Sequence, residues 1–184
     1  HTLHPYVSVF NCLIKNADVW MESVVWLEKL GLSDADLLKI NPKLVIVHIS
    51  GYGKKEFGGD PDICNKAAYD ISGQAASGWM IQNGEPDGAP MRGNPGLSDF
   101  TTGYTAVIGT LMAYMSAQKT GRGQVVDVSM FESQALFIQD YVTAWVDAGV
   151  MKPRSGSRQF NFQPYDVFPA KDGKYVAIGG FGPA

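Results

Sequence analysis

The rhythm of apolar positions changes along this chain, and each change marks an element. Leu44-Val45-Ile46-Val47-His48-Ile49 is apolar almost throughout, as expected of a strand buried on both faces and central in a parallel sheet. Val125-Val126-Asp127-Val128-Ser129-Met130 reads as another strand. Between them Tyr104, Val107, Ile108, Leu111, Met112 and Met115 recur at three- and four-residue spacing, which predicts a long helix. That helix follows a Gly/Pro-rich stretch, Gly93-Asn94-Pro95-Gly96-Leu97-Ser98, and Asp99 stands at the junction.

The remaining signals are shorter. The stretch near His1 looks strand-forming, and Ala17-Asp18-Val19-Trp20 reads as a short strand. Val24 to Leu30 reads as a helix ending near Gly31. Ser33 then caps a second helix with Asp36 at its third position, and Asn41-Pro42 stops it. After the Leu44–Ile49 strand comes a loop, Ser50-Gly51-Tyr52-Gly53 and on to Asp62. Ala67 to Met80 follows as a helix with a small-residue face. Asn83-Gly84, Asp87-Gly88 and Thr120-Gly121-Arg122-Gly123 are turns. A last helix runs from about Glu132 to Ala148, with Leu136, Ile138, Tyr141, Val142 and Trp145 as its apolar set. This alternation predicts an α/β fold, a mainly parallel Rossmann-like sheet with helices on both faces.

The composition shifts after Gly149. Lys152 to Gln163 is polar and without apolar period, and Tyr165–Phe168 and Tyr175–Ile178 flank Lys171-Asp172-Gly173 as a hairpin. Residues 1–150 are therefore read as part of a large α/β domain. Residues 151–184 are read as a linker and the first hairpin of a smaller α+β domain. The chain opens without Met and stops just after a strand signal, so it is expected to be a piece of a longer one.

Charge and composition narrow the classes. The net charge of −3 gives no footprint for nucleic acid. No apolar stretch is long enough to span a bilayer. Cys12 and Cys64 lie far apart in no metal-ligand spacing and read as reduced thiols of a cytoplasmic protein. His1, His4 and His48 form no ligand pattern, and no metal is expected. The loop Ser50–Gly53 sits at the carboxyl end of a parallel strand, where open α/β sheets bind ligands, but it is neither a dinucleotide fingerprint nor a phosphate-binding loop. Lys54, Lys55 and Lys66 nearby read as solvated cations. No Ser, Cys or His is arranged as a triad, which leaves a carboxylate as the best nucleophile. Asp99 sits where free helical N–H groups and the helix dipole favour negative charge, and an ionised carboxylate can attack an activated acyl group. The simpler reading of Asp99 is an N-cap residue.

A set of motifs adds to this reading. Asn41-Pro42-Lys43-Leu44-Val45, Ser50-Gly51-Tyr52-Gly53, Ala68-Tyr69-Asp70 and Gln74-Ala75-Ala76-Ser77-Gly78 occur in that order. They are followed by Asn83-Gly84-Glu85, Ser98-Asp99-Phe100-Thr101-Thr102-Gly103 and Thr120-Gly121-Arg122-Gly123-Gln124-Val125-Val126-Asp127-Val128. From about Ala17 onward the chain resembles the class III CoA-transferases, the formyl-CoA:oxalate, carnitine and bile-acid CoA-transferase type. Ile81-Gln82-Asn83-Gly84 and Pro164-Tyr165-Asp166-Val167-Phe168 look most like the carnitine branch.

The resemblance implies that Asp99 is the catalytic nucleophile. It would form a mixed anhydride and then an aspartyl-CoA thioester with coenzyme A, which enters as acyl-CoA, before CoA passes to a small carboxylic acid. It also implies that Ala67 and Tyr69 line the CoA site. Lys29 would face the CoA phosphates where the family usually has Arg, keeping the charge without the bidentate fork. The partners implied are acyl-CoA, a carboxylic acid and a second copy of the chain in an intertwined homodimer. Two departures stand out: Glu22-Ser23-Val24-Val25 lacks the family's Gly/Pro pattern and the segment is shortened before Gly31, and the family's first βα units and most of its small domain have no counterpart here. A molecule of these residues alone could therefore hold the nucleophile and still be inactive. Two alternatives remain: a 2-methylacyl-CoA racemase of the same superfamily, which pairs the Asp with a His where this chain has Tyr69, and a truncated CoA-binding relative without catalysis.

Overall fold

Val45, Ile46 and Val47 are fully buried, with Leu44 just ahead of them, and the rest of the structure is arranged around the strand they form. The computed structural model describes residues 4–24, 31–159 and 162–180. Its elements are α1 (His4–Asn16), β1 (Val19–Glu22), α2 (Asp34–Ile40), β2 (Val45–Ser50), α3 (Asp70–Ala76), α4 (Trp79–Gln82), α5 (Leu97–Thr120), β3 (Gln124–Ser129), α6 (Met130–Ala135), α7 (Gln139–Ala148), β4 (Tyr165–Pro169) and β5 (Tyr175–Gly179). Strands β1, β2 and β3 form a parallel sheet in that order, so the apolar strand is the central one, as its composition predicts. β4 and β5 pair antiparallel across the Asp172-Gly173 turn.

Each face of the sheet has its own core. On one, Ile46 and Leu44 pack with Ile14 of α1 and Leu37 of α2, with Phe10, Trp20 and Val125 against them. On the other, Val45 and Val47 meet Ala113 and Ala117 of α5. α2 starts as its sequence indicates: the Ser33 hydroxyl accepts the Asp36 N–H at 3.2 Å. Asn41 ends it and donates to the carbonyls of Ile14 and Ala17, tying α1 to the sheet.

Several expectations are corrected. The chain's opening stretch is helical from His4 rather than strand-like. Phe10 and Ile14, four residues apart, put one helical face on the core, and tertiary packing decides. The expected helix Ala67–Met80 is two short ones, broken at Gly78, whose φ of 86° no helix accommodates. Ala67 and Ala68 therefore lie in the preceding loop. The expected helix Glu132–Ala148 is α6, a 3₁₀ turn at Leu136–Ile138, and α7. Of its apolar set Ile138 is buried, while Leu136, Val142 and Trp145 are exposed. The helix expected over Val24–Leu30 lies almost wholly outside the described residues.

The long helix α5 is also turned over. Tyr104, Val107, Ile108, Leu111, Met112 and Met115 are all exposed, and the buried face is Ser98, Thr101, Thr102, Ala106, Ala113 and Ala117. Small residues let the helix lie close to the sheet: a Cβ on Gly109 would come within 3.0 Å of Val126. Among the described residues no helix is long and apolar enough to cross a membrane.

Candidate active site

The carboxyl end of the sheet opens into a cleft of about 470 Å³. Ile49, Ser50 and Gly51 come from the end of β2, Ala67, Ala68 and Tyr69 from the loop before α3, and Asp99, Thr102 and Gly103 from the first turns of α5. Ser23 after β1 and Met130 at the start of α6 complete the lining. Two close approaches shape it. A Cβ on Gly51 would lie 2.3 Å from the Ala68 Cβ, so only glycine lets the β2 loop meet the Ala67–Tyr69 loop. The Gly51 carbonyl accepts the Phe131 N–H at 3.1 Å, which fixes the β2 loop to α6.

Asp99 is the third residue of α5, not its N-cap; Gly96 holds the cap position. Its carboxylate is exposed to the cleft in the helix's first turn, where unpaired N–H groups and the dipole favour an anion. Among the described residues none hydrogen-bonds to it. The helix start is fixed instead by Asp70, the first residue of α3. One Asp70 oxygen accepts the Ser98 N–H at 2.8 Å; the other accepts Arg92 at 2.9 Å and Gln74 at 2.8 Å. Gln74 in turn pairs with the Gly93 backbone in both directions, at 2.7 and 3.1 Å. The Gly/Pro stretch ahead of Asp99 is thus held by a buried polar network, which satisfies every oxygen of a carboxylate that would be costly to bury bare.

A second polar group lies just behind the cleft. Glu22, His48 and Asp127 stand in register across β1, β2 and β3, on the face that carries Trp20, Ile46 and Val125 one step earlier. His48 is 1% exposed. Its Nδ1 meets Glu22, and its Nε2 lies 2.9 and 3.0 Å from the two Asp34 oxygens. The Trp20 ring packs edge-on, 6.3 Å away. Burial opposes a charge on His48, but the bonds to Asp34 and Glu22 outweigh it, so the imidazole titrates above its usual range. Burial likewise works against the Asp34 carboxylate, yet His48 and Lys54 hold it below the ordinary value. Asp127 is pushed up by burial, against a 2.9 Å bond from the Lys54 N–H.

The structure brings Asp99, Ala67 and Tyr69 to one cleft from separate elements. Tyr69 is 78% exposed. Lys29 lies outside the described residues. Lys54, Lys55 and Lys66 do not line the cleft. Sequence reasoning missed Asp70 as the anchor of α5, and it read His48 only as a strand residue. A polar residue inside an otherwise continuous apolar run was the available signal for His48. Cys12 is exposed, Cys64 buried, and both are free thiols.

CoA-transferase family III matches residues 6–184. The chain is 38% identical over 181 residues to the bile acid CoA-transferase BaiK of Clostridium scindens, covering 96% of this chain and 40% of that protein. It is 34% identical to the acetyl-CoA:oxalate CoA-transferase of Acetobacter aceti, covering 94% and 44%. With the L-carnitine CoA-transferase of Proteus mirabilis it shares 35% over 144 residues, covering 77% and 34%. The crystal structure of a CAIB/BAIF family protein from Brucella suis superposes with a TM-score of 0.80 at 29% identity, over 93% of this chain and 44% of that one. The chain spans less than half the length of each of these relatives.

Proposed function

The chain belongs to CoA-transferase family III, and from that membership we propose that the whole protein moves CoA from an acyl-CoA donor to a carboxylic acid, with Asp99 as nucleophile. The observation that carries the reading is the convergence of Asp99, Ala67 and Tyr69, from two separate stretches of chain, on one cleft at the carboxyl end of the sheet. An exposed carboxylate with no described partner at a helix N-terminus is free to attack.

In the proposed reaction an Asp99 oxygen attacks the donor thioester carbonyl. The C–S bond breaks, CoA leaves as thiolate, and a mixed anhydride forms. The thiolate then attacks the aspartyl carbonyl, releasing the donor's carboxylate and leaving an aspartyl-CoA thioester. The acceptor carboxylate attacks that carbonyl and expels the thiolate again. The thiolate finally attacks the acceptor's acyl carbon, and the Asp99 carboxylate is restored. No proton changes hands in the sequence. Gly51 brings backbone to the cleft without a side chain, which suits N–H donation to a developing oxyanion. Tyr69 offers its ring and hydroxyl to CoA, and Lys29 is assigned to its phosphates. Residues 1–150 belong in this proposal to the large domain and 151–184 open the small one. The exposed apolar face of α5 suits burial against the rest of an intertwined dimer, and two free thiols suit the cytoplasm.

The test is to assay the full-length protein with a panel of acyl-CoA donors and carboxylate acceptors, reading new acyl-CoA by mass spectrometry. Transfer to at least one acceptor is expected. Exchange of the donor's α-proton without transfer would replace the reading with a racemase.

A further inference from the structure

Glu22 does two things with one carboxylate. One oxygen meets Nδ1 of His48, and the other accepts the Val24 N–H, closing a turn around Ser23. Ser23 lines the cleft. On the neighbouring strand His48 is followed directly by Ile49, Ser50 and Gly51, which line it as well. The far side of the imidazole is held by Asp34 at the start of α2. One ring therefore joins the ends of β1 and β2 and the first turn of α2, immediately behind the cleft wall.

We propose that His48, bonded through both ring nitrogens to Glu22 and Asp34, is a positioning residue that holds the Ser23 edge of the acyl-CoA cleft against its Ile49–Gly51 floor. The inference rests on the proposed function only in taking that cleft as the CoA site. Two carboxylates facing the two nitrogens need two N–H donors, and only the imidazolium has both. Loss of the proton turns one nitrogen into an acceptor facing an anion, so one contact becomes repulsive and that edge is released. The charged groups around the ring, among the described residues, are Glu22 from β1, Asp34 from α2, Asp127 in register on β3 and Lys54 in the loop after β2. Lys54 opposes the proton and the carboxylates favour it, with the balance toward the charged ring.

The test is calorimetric titration of CoA into full-length wild type and His48→Gln between pH 6.5 and pH 9, with transfer kinetics alongside. Wild-type affinity is expected to weaken about five- to tenfold across that range, the scale of one net hydrogen bond. His48→Gln is expected to bind that much more weakly at pH 6.5 and to show only CoA's own titration. Its kcat at saturating acyl-CoA should stay within about twofold of wild type, because the ring does not touch the reacting atoms. If His48→Gln does not fold, Asp34→Asn takes its place, with a smaller loss and a flatter profile. Superimposable pH profiles for wild type and variant would overturn the proposal. A protein that binds CoA with the expected profile yet transfers nothing would sink the transferase reading and leave this one standing.

Discussion

The Asp70 carboxylate accepts the backbone N–H of Ser98 at 2.8 Å, and Asp99 is the next residue. A side chain from the start of one helix thereby satisfies a free donor at the start of another. The position of Asp99 depends on this cross-brace, because Gly96 at the cap position has no side chain to offer.

Asp70→Ala should therefore cost both stability and rate. It leaves the Ser98 N–H without its acceptor and removes the carboxylate facing Arg92 and Gln74. We expect a loss of about 2–4 kcal/mol, the range for breaking a buried polar network, measured by urea unfolding of the full-length protein. In transfer assays kcat should fall more than KM rises, since the nucleophile is displaced while most of the cleft remains. Wild-type stability and kinetics in Asp70→Ala would contradict this.

Gly73→Ala tests the same brace from the packing side. Its Cβ would lie 2.2 Å from Ser98 Oγ and 3.0 Å from the Met130 Cβ, so α3, α5 and α6 would have to separate. Overpacking of this kind costs about 1–3 kcal/mol. Thermal unfolding should show it. Gly103→Ala, inside α5 with nothing within 4 Å of the new Cβ, should instead stabilise by about 0.5–1 kcal/mol, the helix preference of Ala over Gly, and serves as the control.

The sheet was legible because β2 is apolar at almost every position, and only a central parallel strand buries both faces. The α2 start was legible because Ser33 and Asp36 form a local device that needs no tertiary partner. Where sequence misled, a non-local contact decided. α1 is a helix because Phe10 and Ile14 reach the core, and α5 buries its small residues because close approach to the sheet outweighs the burial of Leu111 and Met115. In the site, Asp99 is legible from its place at the start of a long helix as well as from the motif resemblance, whereas Ala67 and Tyr69 are legible from the resemblance alone. Asp70 and the Glu22–His48–Asp34 group are not, since Ser98 and Arg92 lie 28 and 22 residues from Asp70, and Glu22 and Asp34 lie 26 and 14 residues from His48, with no periodic signal.

Stability should depend on pH through His48. Its folded pKa is raised above 6.5, so its contribution is complete below about pH 6.5 and is lost as pH rises through the folded value. Asp34, with a lowered pKa, contributes above 3.8 and loses that contribution as pH falls through its folded value. Asp127, raised by burial, acts in the opposite sense on the acid side. Chemical denaturation of wild type should show stability declining above pH 6.5, and His48→Gln should lack that decline. Parallel curves for the two proteins would contradict the assignment.

Tyr69 faces the cleft as a largely exposed phenol, suited to packing and one hydrogen bond but poorly suited to abstracting a proton near neutral pH. Tyr69→Phe should raise the KM for acyl-CoA by about fivefold at most, the scale of one neutral hydrogen bond of about 1 kcal/mol. In deuterated water a 2-methylacyl-CoA should keep its α-proton. Rapid exchange that requires both Tyr69 and Asp99 would assign the protein to racemisation.

The most direct test is trapping at Asp99. Full-length protein incubated with an accepted acyl-CoA and hydroxylamine should acquire a hydroxamate on the Asp99 side chain, located by peptide mass spectrometry. Asp99→Ala should fold like wild type and transfer nothing. A label on any other residue, or normal turnover by Asp99→Ala, would contradict nucleophilic catalysis by this carboxylate.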